Sequence, residues 1–269
     1  MHTESPIDIQ KYKRTVTLMD DDFMSLCLNE CIPCTQVIIN IILGREDIHV
    51  KSVETQKFYQ GFDRSLKIDV FAEDDDGRLY NIEIQNSDEG AVPRRARFHG
   101  AVIDAHSLER GQKFKELPEC YVIFITRNDV LGFGDMLYRI ERYIEGRNER
   151  FNDGQHIIYV NCSAADDGSR LSELIHDMKC EDSDEMFIPE LSDRTGYFTK
   201  TEEGEMHMNA YLAEVMKKRE EVVKRKQAKD IAVNLLRKGK MTFEDIAECS
   251  GVALIEVTRL ARMLEGLSN

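Results

Sequence analysis

Two carboxylates, Asp69 and Glu83, stand fourteen residues apart in the stretch LKIDVFAEDDDGRLYNIEIQ, residues 66 to 85. Leu66, Ile68 and Val70 alternate with Lys67, Asp69 and Phe71, and Ile82 and Ile84 alternate with Asn81, Glu83 and Gln85, so each segment reads as a strand. Asp75, Asp76 and Gly77 make a three-residue hairpin loop with glycine in the left-handed position. That loop sets the register, placing 74 opposite 78, hence 69 opposite 83 and 67 opposite 85. Carboxylates directly across a ladder repel unless positive charge sits between them. A hard divalent cation such as Mg²⁺ meets that need: Asp69, Glu83 and the carbonyl of Ile84 form a partial oxygen shell that leaves room for waters and a substrate phosphate. An ion held there lowers the pKa of water and stabilises in-line displacement at phosphorus, and Gln85, on the same face, is placed to orient the attacking water. The alternative is a solvent-facing hairpin surface whose carboxylates are hydrated and paired to Lys67, the default outer face of an antiparallel sheet.

These residues need elements to hold them. Upstream, DDDFMSLCLNEC and PCTQVIINIILG read as two short helices that pack on a sheet, the first led by aspartates and the second opened by Pro33 and stopped by Gly44. Downstream, VPRRARFHGAVIDAHSLERG reads as a helix opened by Pro93 and closed by Gly111, with Phe98, Ala101, Val102, Ala105 and Leu108 as its apolar stripe. CYVIFIT, 120 to 126, and HIIYVN, 156 to 161, are apolar runs of the kind buried on both faces of a sheet. The order α, β, β, α, β, β predicts a mixed α/β sheet flanked by helices. Arg94, Arg95 and Arg97, just beyond the hairpin, are candidates for bidentate phosphate contacts. His99 and His106 lack a third ligand at metal spacing and read as structural or surface histidines. Residues 162 to 205, rich in Asp, Ser, Glu and Gly, read as loop and linker, with short amphipathic pieces such as LSELIHDM.

Charge narrows the partners. At 269 residues the chain has room for one sizeable core and an appended module. A net charge of −14 argues against a protein that coats nucleic acid, because such binding comes mainly from neutralised phosphates. Residues 217 to 240 nevertheless hold ten Lys or Arg against Glu220, Glu221 and Asp230, a local +7 that leaves about −21 elsewhere. Any DNA contact is therefore local. That cluster falls inside a long helical pattern running from 206 to 238, interrupted by Gly239, after which 241 to 266 form a small helical unit. Within it DIAECSGVALIEV has the helix-turn-helix arrangement of Ala247, turn Gly251 and packing Val257, although LIEVTRLARM offers only Thr258, Arg259 and Arg262 for DNA. It reads either as a DNA reader or as a packing or dimerisation module, which makes the C-terminal helices a candidate homodimer contact. No run reaches membrane-span length and MHTESPIDIQKYKRT lacks a signal-peptide core, so a cytoplasmic protein without membrane contact is expected. The seven cysteines fit reduced thiols better than a disulfide framework. Cys27, Cys31 and Cys34 have an iron-sulfur spacing, but they lie in a helical pattern rather than in a loop that would let all three reach one cluster.

Asp69, a hairpin and then Glu83-Ile84-Gln85 resemble the D…ExK core of the PD-(D/E)XK nuclease superfamily. More closely, LKIDVFAEDDDGRLYNIEIQ with VPRRARFHGAVIDAHSLERGQKFKELPECYVIFIT is similar to the recombination-promoting nuclease (Rpn) family, also called PD-(D/E)XK nuclease family transposases. The resemblance covers about residues 20 to 165, including DDDFMSLCLNE and IILGREDIHVKSVETQ. It implies a restriction-endonuclease-like mixed sheet over residues 1 to 204, followed by a helical C-terminal region over 205 to 269. It further implies a Mg²⁺-dependent DNA endonuclease linked to recombination or transposition, with Asp69 and Glu83 as metal ligands and catalytic residues. Gln85 stands where the superfamily usually has lysine, and Phe98-His99 where relatives tend to have two tyrosines. The alternative within the same resemblance is a degenerate nuclease fold that binds DNA or protein without cutting.

Overall fold

The computed structural model describes residues 15–59 and 66–266. The N-terminal stretch read above for a signal peptide lies outside them, apart from Thr15. The chain divides into two compact units, 1–209 and 210–269.

In the first unit, α1 (Asp21–Leu28) and α2 (Ile32–Leu43) are the two short helices expected. Asp20 caps α1 by accepting from the Phe23 amide at 3.0 Å, and Gly44 ends α2 in the left-handed conformation. Strands β1 (Val50–Tyr59), β2 (Leu66–Asp74) and β3 (Leu79–Gln85) follow, then α3 (Pro93–Ser107) and β4 (Cys120–Thr126). After β5 (Leu137–Ile140) and the small ribbon of β6 (Tyr143–Ile144) and β7 (Glu149–Arg150), β8 (Gln155–Asn161) completes a six-stranded sheet of order β1-β2-β3-β4-β8-β5. The β1/β2, β2/β3 and β8/β5 pairs are antiparallel, whereas β3/β4 and β4/β8 are parallel. The mixed sheet expected from the sequence is present, with β1 and β5 added at its edges.

The hairpin has the expected turn and register. Gly77 adopts φ +80°, its amide donates to the Asp74 carbonyl at 3.0 Å, and Val70 pairs with Ile82. All seven residues of β4 are buried. On one face Val122 and Phe124 join Ala96 and Ile103 of α3 in a core cluster with Tyr159 of β8. Tyr121, Ile123 and Ile125 are buried on the other.

Three expectations need correction. First, α3 does not bury the stripe of Phe98, Ala101, Val102, Ala105 and Leu108; Ala101 and Ala105 are exposed. Its buried residues are Ala96, His99, Gly100 and Ile103, spaced i, i+3, i+4, i+7. The helix sits so near β8 that a Cβ at Gly100 would collide with the Gln155 side chain, so small residues, not the most apolar ones, occupy the contact face. The helix also ends at Ser107, before Gly111. Second, 162–205 is not linker: it holds α4 (Arg170–Lys179) and α5 (Pro189–Lys200), and α2 packs against both. Leu174, Ile175 and Met178 of α4 and Leu191 and Phe198 of α5 are core residues. Buried Asp177 braces the connection by accepting from the amides of Phe187 and Ile188 at 2.9 and 2.8 Å. Third, the hairpin face carrying Asp69 and Glu83 is not open to solvent.

α6 (Glu202–Lys238) is a single helix through the basic cluster, and it stops at Gly239. In the second unit, Glu214–Lys218 and Glu220–Lys224 form i,i+4 pairs along it. α7 (Phe243–Ser250) and α8 (Leu254–Gly266) meet at Gly251, φ +72°. Ile246, Val252 and Val257 pack with Ala232 of α6 as a small core. Among the described residues no single helix is long and apolar enough to cross a membrane. The apolar α1 and α2 are bent 115° from one another and contribute core residues to the first unit.

Candidate active site

Asp69 lies at a break in the sheet. The β2/β3 ladder reaches Val70 and Ile82 and stops, and on the other side the β1 ladder passes over Gln56, which adopts φ +55° between paired Thr55 and Lys57. Side chains replace the missing ladder bonds. The Asp69 amide donates to Glu83 Oε1 at 3.2 Å, and the Ile84 amide donates to Asp69 Oδ2 at 3.2 Å. Each carboxylate thus takes an amide of the opposite strand. In an extended strand a residue's N–H and C=O share one edge, so the Ile84 carbonyl faces Asp69 as its amide does.

Both acids are enclosed, Asp69 8% exposed and Glu83 fully buried. Burial pushes the Asp69 carboxyl up, and the nearby Asp21 carboxylate adds to the rise; the Ile84 amide, Lys67 and Arg95 oppose it. Glu83 is raised by burial and then by Asp69, against the pull of Asn81, Arg95 and the Asp69 amide. Two buried acids, one raised further by Asp21 and the other by its neighbour Asp69, share Arg95 as the single contacting cation among the described residues, so positive charge at the pair is short. The pair therefore fits a divalent cation by the chemistry of its donors, with the Ile84 carbonyl as a third oxygen.

A directional chain of hydrogen bonds supports Glu83 from α3. Arg95 Nε donates to His99 Nε2 at 3.2 Å, which leaves the ring proton on Nδ1 to donate to Asn81 Oδ1 at 2.9 Å. Asn81 Nδ2 donates in turn to Glu83 Oε1 at 2.7 Å. Arg95 also places Nη2 3.4 Å from Glu83 Oε2 and donates through Nη1 to the Gly90 carbonyl at 2.9 Å and to Gln85 Oε1 at 3.3 Å. With Oε1 of Gln85 turned to Arg95, its amide nitrogen is the group left to face a ligand. Gly90 makes room for this arrangement, since a Cβ there would collide with Gln85 Oε1.

The structure thus brings Asp69, Glu83, Ile84, Gln85 and Arg95 together, and it separates Arg95 from its neighbours. Arg94 and Arg97 are exposed on the outer side of α3. His106 is exposed and bonds the Val102 carbonyl, whereas His99, read above as structural or surface, is wholly buried in the site. Asn81 and His99 were missed as site residues. Their signals were positional: Asn81 lies two residues before Glu83 on the same strand face, and His99 lies four after Arg95 on the same helix face.

The family model for PD-(D/E)XK nuclease family transposases matches residues 33–234, spanning the whole six-stranded sheet, α3 and most of α6. Neither the curated proteins nor the solved structures include a match. The matched span is well over half the chain, and the mixed six-stranded sheet flanked by helices is that of a PD-(D/E)XK nuclease-like fold. The chain belongs to the PD-(D/E)XK nuclease family transposases, a nuclease family linked to transposition.

Proposed function

We propose that this chain is a Mg²⁺-dependent DNA endonuclease that hydrolyses phosphodiester bonds, with Asp69, Glu83 and the Ile84 carbonyl as the metal ligands and Asp69, Glu83 and Gln85 as the catalytic residues. The observation that carries the reading is the burial of two carboxylates on adjacent strands, each accepting an amide of the opposite strand, with the Arg95 guanidinium at 3.4 Å from Glu83 as the one cation among the described residues in contact with the pair. A divalent cation bound there lowers the pKa of water and offsets charge on the phosphoryl oxygens.

The remaining roles belong to side chains of the protein. The Asn81–His99–Arg95 chain holds Glu83 Oε1 in one orientation, so the ligand geometry is preformed. The Gln85 amide nitrogen donates to water or a phosphoryl oxygen but carries no charge. Arg95, in contact with both Gln85 and Glu83, brings a cation beside Gln85, the residue that stands at the superfamily's lysine position in the sequence. Arg94 and Arg97, on the exposed side of the same helix, are placed to bind flanking phosphates, and the basic cluster of 217 to 240 is a second region suited to backbone contact.

Plasmid nicking by purified protein, with Mg²⁺ and with EDTA, tests the proposal. Nicking that requires the metal and disappears in Asp69→Asn supports it. DNA binding without cutting at any divalent-ion concentration refutes it in favour of a binding module.

A further inference from the structure

The sequence Cys31-Ile32-Pro33-Cys34 opens α2, with Cys31 as the N-cap residue and Pro33 in the first turn. The two cysteines differ sharply in exposure. Cys31 is partly open to solvent, whereas Cys34 is 1% exposed; Cys27 on α1 is buried as well. One helical turn holds the Cα atoms of residues i and i+3 about 5 Å apart, within the span a disulfide requires. The Cys34 thiol donates to the Glu190 carbonyl at 3.2 Å, and the neighbouring Cys31 sulfur is the alternative acceptor for that one proton. Arg194 of α5 completes the surroundings, anchored by its donation to the Cys27 and Asn29 carbonyls at 2.8 and 3.3 Å. The three sulfurs do not gather into a three-ligand metal set among the described residues, so the cluster-binding spacing noted in the sequence has no matching geometry.

We propose that Cys31 and Cys34 form a redox-active dithiol that exchanges with soluble disulfides of the glutathione type and closes into an intramolecular disulfide. Cys31 is the attacking group because it alone of the pair reaches solvent. With the single Cys34 proton turned from Glu190 to Cys31, its hydrogen bond lowers the Cys31 thiol, helped by the Cys34 amide and by Arg194, against the cost of partial burial. Cys34 moves the opposite way, raised by its bond to Cys31 and by burial, which keeps it protonated until it is needed. An accessible low-pKa cysteine followed by a buried one at a helix N-terminus is the division of labour of a dithiol exchange centre.

The exchange balances in two steps. The Cys31 thiolate attacks one sulfur of the oxidant, RS–SR, forming a mixed disulfide and releasing RS⁻. Cys34 then gives up its proton, its sulfur attacks the Cys31 sulfur, and the second RS⁻ leaves. The protein loses two electrons and two protons, and the oxidant becomes two RSH. Closing the ring removes the Cys34 thiol proton, and with it the donor to the Glu190 carbonyl that links α2 to α5.

The test uses the full chain and oxidised glutathione. Reduced protein is incubated with excess oxidised glutathione at pH 7, quenched in acid, alkylated, digested without reductant and mapped by mass spectrometry. A Cys31–Cys34 disulfide, reversed by dithiothreitol, is expected. Cys34→Ser should instead accumulate glutathione on Cys31, and Cys31→Ser should form neither species. Exposed Cys249 is the internal reference for reactivity. With its thiol lowered, Cys31 should react with iodoacetamide faster than Cys249 at pH 6. Wild-type protein in which Cys249 alkylates faster than Cys31 at pH 6 overturns the proposal. So does a wild-type map in which Cys31 carries glutathione that Cys34 never displaces.

Discussion

Replacing Asp69 by Asn should make the metal-free protein more stable at pH 8 and leave it unchanged at pH 4. The Asn carbonyl can still accept the Ile84 amide, so the substitution removes a charge and little else. Burial and the Asp21 carboxylate push Asp69 up to about 6, roughly two decades above an ordinary aspartate. A folded-state pKa above the unfolded one means that the folded protein holds this proton more tightly. The stabilisation is complete below about pH 4 and is lost as the pH rises through about 6. At about 1.4 kcal/mol per decade, ionised Asp69 costs the folded state on the order of 3 kcal/mol at pH 8. The neutral Asn side chain avoids that cost. Urea unfolding of both proteins in EDTA at pH 4 and pH 8 measures it, and a gap of about 1–3 kcal/mol at pH 8 alone is expected. Mg²⁺ should then reverse the ranking, because binding at a hundred times Kd stabilises the wild type by about 2.7 kcal/mol and the variant hardly at all. A variant less stable than wild type at pH 8 in EDTA, or a gap equal at the two pH values, would refute the buried-charge reasoning.

Gln85→Ala should slow DNA cleavage while sparing Mg²⁺ affinity, and Gly90→Ala should imitate it by displacing the Gln85 side chain; isothermal titration with Mg²⁺ beside single-turnover cleavage separates the effects, and loss of affinity as severe as in Asp69→Asn would contradict the assigned role. His99→Phe breaks the chain that holds Glu83 and strands the buried Asn81 carbonyl oxygen, so it should destabilise the protein by about 1–3 kcal/mol in chemical denaturation. Reversing Lys224, Arg225 and Lys226 to Glu should flatten log affinity against log salt for duplex DNA by about 0.9 for each phosphate that the protein no longer neutralises, while an unchanged slope would remove this cluster from the DNA interface.

The hairpin was legible in the sequence because its determinants are local. Alternation with period two assigned the faces, and Asp75, Asp76 and Gly77 set a register that carries Asp69 opposite Glu83. The helix ends at Asp20 and Gly44 and the buried strand β4 were equally plain, since caps and continuous apolar runs need no knowledge of distant contacts. Tertiary packing decided the rest. The edge strand β1 carries exposed Lys51, Ser52 and Glu54 and the partly buried Lys57, so its composition does not announce a strand. Helices α4 and α5 lie in a polar stretch whose apolar residues are few yet nearly all buried, a distinction that composition averages away. The face of α3 that meets the sheet is built from Ala96, His99, Gly100 and Ile103, where closeness of approach outweighs hydrophobicity. Among three arginines indistinguishable by type, only the position of that helix over β4, next to β3, turned Arg95 inward to Glu83 and Gln85 and left Arg94 and Arg97 in water. Residue types and spacing therefore named the two carboxylates, but their burial, their supporting hydrogen bonds and their cationic neighbour came from elements that approach them only when the whole sheet is assembled.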